Sequence, residues 1–265
     1  MPPELTLLIA YFAIGAVAGI LAGLMGIGGG IVIVPALYFL FVWQGFADAL
    51  LMQLAVATSL ATIVFTSIAS ARAHHRRGAV LWPTVFRLGP GIVLGAIAGG
   101  LLARYLSSGG LRMFFGLFEI AVALQIGLGA KPPAGRVLPG SLGMNLAGAG
   151  IGGLSALLGI GGGTLTVPFL LWCNVVIHQA VATAAACGLP IALAGALTMM
   201  AAGWDHPALP DHSLGYVHWP AALAIVAASF LAAPLGARLA HALPVMTLKR
   251  VFAVVLALIG LRMVF

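Results

Sequence analysis

Charge is what this chain has least of: 5 acidic and 12 basic residues among 265, or 6% charged against 62% hydrophobic, at a mean hydropathy of +1.17. A soluble domain carries about a quarter of its residues as charges, so a water-soluble globule is excluded. Cysteine is scarce too. Cys173 and Cys187 both lie in apolar stretches, which leaves no disulfide framework, redox pair or metal site to read. No apolar run holds a credible Ser/His or paired-Asp arrangement, so an intramembrane enzyme lacks a nucleophile with a base in reach. Neither a nucleotide-binding motif nor a cofactor motif occurs, and no cofactor is expected. The first residues include Glu4 and no basic side chain, which does not read as a secretory signal. The net charge of +7 invites a nucleic-acid reading. Yet the basic residues sit in short loops between hydrophobic spans, which is the mark of cytoplasmic loops.

What is abundant is apolar length. Apolar runs of about 18 or more residues with few or no charges read as transmembrane helices, and the candidates are 5–25, 50–71, 80–103, 111–129, 137–158, 175–202, 214–237 and 248–265. Two shorter apolar pieces, 31–43 and 164–173, each follow a block of glycines. The chain therefore reads as an all-α, polytopic membrane protein.

Those blocks are the same sequence used twice. Gly26-Ile27-Gly28-Gly29-Gly30 with Val34-Pro35 returns as Gly159-Ile160-Gly161-Gly162-Gly163 with Val167-Pro168. Further anchors follow in the same order: Ala55-Val56-Ala57-Thr58 with Ala180-Val181-Ala182-Thr183, and Trp82-Pro83 with Trp219-Pro220. Gly99 then aligns with Gly236, Leu111 with Leu248 and Phe115 with Phe252 without a gap. The chain divides into a first transmembrane repeat, 1–130, and a second, 131–265.

Loop charge orients the halves. The loop before Trp82 carries Arg72, Arg76 and Arg77, whereas its counterpart before Trp219 carries Asp205 and Asp211 and no basic residue. Lys131 and Arg136, and then Arg238, Lys249 and Arg250, belong on the cytoplasmic side, with Asp48 outside. These assignments agree only if each repeat makes an odd net number of crossings, so the chain must reverse at the glycines. Arg104 and Arg112 then fall outside, a minor dissent. The repeats become inverted with respect to each other. Residues 31–43, 13 in all, span roughly 20 Å as a helix, too short for a core of about 30 Å. Two re-entrant hairpins are predicted, entering from opposite faces with their tips meeting near the centre. Backbone at that depth must be buried in protein or line a wet cavity.

A short helix starting after Gly28-Gly29-Gly30 or Gly161-Gly162-Gly163 leaves its first amides unpaired and aimed at the tip. With the helix dipole added, that end attracts anions without a buried Lys or Arg. Paired Gly/Pro-interrupted segments in corresponding halves are the best sequence pointer to a transporter's binding site. The predicted substrate site is thus Gly28, Gly29, Gly30, Gly161, Gly162 and Gly163, with Thr58 and Thr183, which recur in both halves. Ser59 and Thr62 lie nearby, and Asn145, Ser155 and Thr164 are weaker candidates. Gly95, Gly99, Gly148 and Gly152 read as helix-packing positions. Glu119 is the acidic residue left inside a span, where a carboxylate defaults to a functional hypothesis; here it is the candidate proton carrier, although repeat two has Leu256 at the matching place. Arg87 reads as snorkelling to the cytoplasmic surface. His74 and His75 read as solvated loop residues, and His178 as a residue near a hairpin exit.

With the paired glycine blocks, the recurring Ala-Val-Ala-Thr and the His74-His75-Arg76-Arg77-Gly78 loop, the chain closely resembles the TauE/SafE family over essentially its whole length. The resemblance implies a bacterial-type inner-membrane permease for sulfur-containing anions such as sulfite or sulfonates. Ala182-Thr183-Ala184 departs from the family's commoner Ala-Thr-Ser pattern, so one hydroxyl of a symmetric site is absent. The expected partners are a small anionic substrate, the lipid bilayer and, if it self-associates, a second copy of the chain. A passive anion channel, or a permease for another small organic acid, is the alternative.

Overall fold

Glycine and proline divide this apolar sequence into ten α-helices and one small hairpin among the described residues, which in the computed structural model are 3–25, 29–128, 135, 137–242 and 245–265. The first half holds α1 (Pro3–Met25), α2 (Gly30–Trp43), α3 (Leu51–Arg76), α4 (Trp82–Tyr105) and α5 (Ser108–Gly127). The second holds α6 (Ser141–Leu158), α7 (Gly163–Trp172), α8 (Ile177–Ala202), α9 (Trp219–Ala242) and α10 (Val245–Val264). Six of the helices are long and apolar enough, within the described residues, to cross a membrane.

The centre is built from α3 and α8, which pack on each other. Every residue of α3 from Leu51 to Ile63 is buried, and a helix buried all round belongs in the middle of a bundle. The outside is the reverse. Phe86, Leu94, Leu117, Leu124, Leu231 and Leu258 project from α4, α5, α9 and α10 with half or more of their surface exposed, an apolar exterior suited to lipid.

The other main pairings are α1 with α9, α4 with α6, and α5 with α10. Glycines set how closely the first two approach. A Cβ on Gly15 would lie 2.6 Å from Ile225 O, and one on Gly19 2.6 Å from Ser229 O. Across the other pair, Gly148 faces Leu88 O and Gly152 faces Ile92 O, while Gly91, Gly95 and Gly99 face the carbonyls of Asn145, Ala149 and Gly153. Spaced at four residues, these small positions let helix backbones touch, as the sequence reading of Gly95, Gly99, Gly148 and Gly152 anticipates. Asn145 joins this packing: its Oδ1 accepts from Gly91 N at 3.1 Å and its Nδ2 donates to Ser141 O at 2.9 Å. Arg87 donates to Pro139 O at 2.8 Å, fastening the start of α4 beside the start of α6.

Two local readings change. The helix predicted from residue 214 begins at Trp219, because Ser213–Leu214 (β1) and Val217–His218 (β2) pair antiparallel across a turn in which Gly215 has φ +55°. That turn sits against Met200 O at the end of α8, where no Cβ would fit. The second change concerns His74 and His75, which lie in the last turn of α3 rather than in a loop, and His75 Nδ1 accepts from Trp82 Nε1 at 3.0 Å.

Candidate functional site

The second glycine block is a buried break in the helical chain. Gly159 ends α6 with φ +67°, its N–H on Ala156 O (3.3 Å) and the N–H of Ile160 on Ser155 O (2.9 Å), the left-handed stop that glycine permits. A side chain there would meet Val34 Cγ2 at 2.8 Å and Val56 Cα at 2.9 Å. The chain crosses to Gly163, where α7 begins, and all of 159–163 is buried. Thr166 N finds Gly162 O at 2.9 Å. The amides of Gly163, Thr164 and Leu165 precede that first helical bond, as at any helix start.

The first block is described from Gly29 onward; Gly26, Ile27 and Gly28, the last of them a predicted site residue, lie outside the described residues. Gly29 O accepts from Val32 N and Ile33 N, both at 3.0 Å, to start α2. The two blocks touch. A Cβ on Gly30 would stand 2.6 Å from Gly159 O and 2.9 Å from Ile160 Cα.

One hydroxyl of the central helices reaches this contact, and others tie the halves together elsewhere. Ser59 Oγ of α3 donates to Gly159 O at 2.8 Å, tying repeat-one sequence to the repeat-two break, and Thr62 Oγ1 donates to Ser59 O at 2.7 Å. At the position matching Ser59, α8 has Ala184, whose carbonyl would meet a Cβ on Gly162 at 2.6 Å. Thr58 and Thr183 are both fully buried and each holds a backbone amide of the opposite half: His218 N donates to Thr58 Oγ1 at 3.0 Å, and Leu81 N to Thr183 Oγ1 at 3.1 Å. His218 and Leu81 are themselves matching residues, each just before Trp-Pro.

Three further hydroxyls at the second break are only faintly marked in the sequence, or not at all. Ser155, Thr164 and Thr166 are buried, and their oxygens have no hydrogen-bond partner among the described residues. The available signal for Thr164 and Thr166 is positional. They stand where repeat one has Ile31 and Ile33, both also buried.

Glu119 is separate from this cluster. It lies on α5 where that helix crosses α10, beside Gly116 and Gly260; a Cβ on Gly260 would lie 3.1 Å from Glu119 Cβ. It is 0% exposed, and neither carboxylate oxygen has a partner among the described residues. Among the described residues no three His, Cys, Asp or Glu gather where a metal ion could be held.

A feature of each half concerns where the chain goes after its break. α2 folds back along α1, so that Gly29 faces Ala18 and, at the far end, Gln44 Nε2 donates to Tyr11 OH at 2.9 Å. In the other half, Val137 and Leu138 before α6 and residues 173–176 after α7 line one pocket of about 380 Å³ together with Leu81 and Gln179.

The comparisons with known proteins agree with one another. The family model described as "Sulfite exporter TauE/SafE" matches residues 11–263. A probable membrane transporter protein of Haemophilus influenzae is 39% identical over 267 residues, covering 97% of this chain and 98% of the relative. A second relative, the probable membrane transporter protein YunE of Bacillus subtilis, is 30% identical over 95% of each chain. One from Methanocaldococcus jannaschii is 28% identical over 98% of this chain and 96% of its own. No solved structure matches the chain.

Proposed function

The chain belongs to the TauE/SafE family of multi-pass membrane transporters, and from that premise we propose a secondary permease that carries small sulfur-containing anions across the inner (plasma) membrane by alternating access. The observation that carries the reading is the contact of the two glycine breaks, Gly30 at the start of α2 against Gly159 at the end of α6, each break preceding a short helix. The amides at the starts of α2 and α7, which follow the touching breaks, supply positive polarisation from backbone for an anion. Gly29, Gly30, Gly161, Gly162 and Gly163 supply close approach and amides; Gly28 belongs to the same proposal by sequence. Ser155, Thr164 and Thr166 supply hydroxyl donors that have no other partner among the described residues. Thr58 and Thr183, each bonded to an amide of the opposite half, join the repeats that carry these groups.

Inverted repeats, divided at about residue 130, make sense of the packing. Exchanging the halves turns the α1–α9 pair into α6–α4 and leaves α3–α8 and α5–α10 in place. The exchange extends to single residues: Gly15 on Ile225 becomes Gly148 on Leu88, and Gly19 on Ser229 becomes Gly152 on Ile92. Re-entrance of each hairpin is supported by α2 returning along α1 and by the shared pocket of 137–138 and 173–176. Rocking one repeat against the other would then expose the tips to each face in turn. Glu119, buried without a partner among the described residues, is the proposed proton carrier.

The two short helices begin with different chemistry. Thr164 and Thr166 of α7 stand where α2 has Ile31 and Ile33, and this pairing of a polar with an apolar helix start favours an anion with an apolar end, an organosulfonate, over a symmetric oxyanion. The test is uptake by proteoliposomes holding the purified full chain. Saturable, counter-anion-stimulated uptake of sulfite or a simple sulfonate is expected, with the sulfonate giving the larger ligand-induced thermal stabilisation. Non-saturable flux would make the protein a channel, and absence of both flux and stabilisation would overturn the reading.

A further inference from the structure

We infer that the protein stands open toward its basic face and closed at the other by a plug in which His218, seated among Tyr11, Phe41 and Phe46, is the residue that must move for the second face to open. The inference rests on the alternating-access reading above and deepens it.

The two short helices start alike, each reaching its proline five residues in, at Pro35 and Pro168. They also stop alike. Gly45 (φ 73°) and Asn174 (φ 61°) are the left-handed residues past each end, and the next amide turns back, Phe46 N to Phe41 O at 3.1 Å and Val175 N to Leu170 O at 3.0 Å. Phe46 therefore stands where the other half has Val175. Between those shared ends α2 has 14 residues and α7 has 10. One extra turn carries α2 about 6 Å farther.

That turn fills a space which its counterpart leaves open. The His218 ring lies 5.4 Å from the ring of Phe46, 5.6 Å from that of Phe41 and 6.1 Å from that of Tyr11, and Phe41 stacks on Phe46 at 5.0 Å. Tyr11 is itself braced by Gln44, just past the end of α2. Leu81, the residue matching His218, borders instead the 380 Å³ pocket with Val175 and Gln179. Both residues have their amide held by the matching threonine, so the two are anchored alike at that amide while their side chains differ.

Sidedness follows from charge. The pocket adjoins the loop that follows Arg72, Arg76 and Arg77, while exposed Asp205 and Asp211 precede His218 and Asp48 follows Phe46. The closure also carries a mark of a part that moves. His218 is 6% exposed and its Nδ1 has no hydrogen-bond partner among the described residues, an unmet acceptor that a permanent plug has no reason to retain.

The test reads accessibility, not transport. In the full chain with Cys173→Ser and Cys187→Ser, a reporter is placed at either of two matching positions, Gln179→Cys or Leu54→Cys, and a membrane-impermeant thiol reagent is applied to each face of oriented vesicles. Gln179→Cys should react from the basic face at least ten-fold faster than Leu54→Cys reacts from the other, and adding Phe46→Ala should remove most of that difference. Equal rates at the start, or no response to Phe46→Ala, would overturn the plug. Hydrogen exchange of the unmodified protein gives a second reading: the His218 amide should exchange at least ten-fold more slowly than that of Leu81, and equal protection counts against the inference. Equal labelling with intact carrier flux would sink the plug alone, whereas channel-like flux would sink the carrier reading and leave the labelling result standing.

Discussion

Gly30→Ala tests whether the touching breaks matter to transport. The position has ordinary helical backbone, so alanine is favoured there by roughly 1 kcal/mol on propensity alone. Against this, the new methyl would lie 2.6 Å from Gly159 O, 2.8 Å from Ile63 Cδ1 and 2.9 Å from Ile160 Cα. The isoleucine end can swing aside, but the two backbone atoms belong to a buried turn that Ser59 also holds. Overpacking of this kind costs about 1–3 kcal/mol. The net loss is then roughly 0–2 kcal/mol, small enough for the protein to fold with its breaks pushed apart. Flux should fall by about ten-fold or more, which corresponds to about 1.4 kcal/mol in the rate-limiting barrier. Purified wild type, Gly30→Ala and Gly109→Ala would be compared by thermal melting and by anion uptake into proteoliposomes. Gly109 is exposed, and a Cβ placed on it would meet nothing within 4 Å, so its variant controls for alanine in a helix. Wild-type melting and wild-type uptake in Gly30→Ala would refute the reasoning.

Thr58→Val and Thr183→Val each remove the acceptor of one backbone amide, buried at His218 and part-buried at Leu81; the first should cost about 1–3 kcal/mol in unfolding experiments and the second no more than that. The Ser variants should recover most of that, and a Val variant as stable as wild type would mean the amide finds another acceptor. Glu119→Gln keeps shape in a site where neither oxygen has a partner among the described residues, so folding should survive. Its uptake should lose dependence on an imposed pH gradient; unchanged dependence would remove Glu119 as the proton carrier.

The helices are legible because glycine and proline interrupt an otherwise continuous apolar sequence. The breaks at Gly26–Gly30 and Gly159–Gly163 can be located from their repetition, and the packing glycines from their spacing of four. What a single sequence does not carry is which partner each hydroxyl meets. Thr58 and Thr183 stand out because they recur, yet their recurrence reflects a shared hold on the amide before Trp-Pro. Ser59, which reaches the other half's break, gives no such signal because its counterpart is Ala184. The hairpin at 213–218 is hidden for another reason: Leu214, Tyr216 and Val217 are apolar enough to extend a span, and the turn depends on Gly215 fitting against Met200 O. His218 is silent in the sequence because its aromatic neighbours come from α1, α2 and the α2–α3 connection, all of them distant along the chain.

The pairing of Thr58 with His218 N and Thr183 with Leu81 N bears on how such a protein would balance its two states. Both bonds cross between the halves, both use a threonine hydroxyl and a backbone amide, and their lengths are 3.0 and 3.1 Å. Both are formed in this structure, beside the pocket and beside the aromatic plug alike, so neither decides which face is closed. To first order the scaffold is neutral, as an exchange between equivalent halves should be. The bias must come from groups the halves do not share. One side packs three aromatic rings around an imidazole; the other has Leu81 and Val175 beside a pocket. Aromatic burial beyond plain area contributes about 0.5–1.5 kcal/mol per pair, so a few such contacts are enough to hold a near-balanced carrier on one side. A substrate then needs only a differential affinity of similar size to shift it.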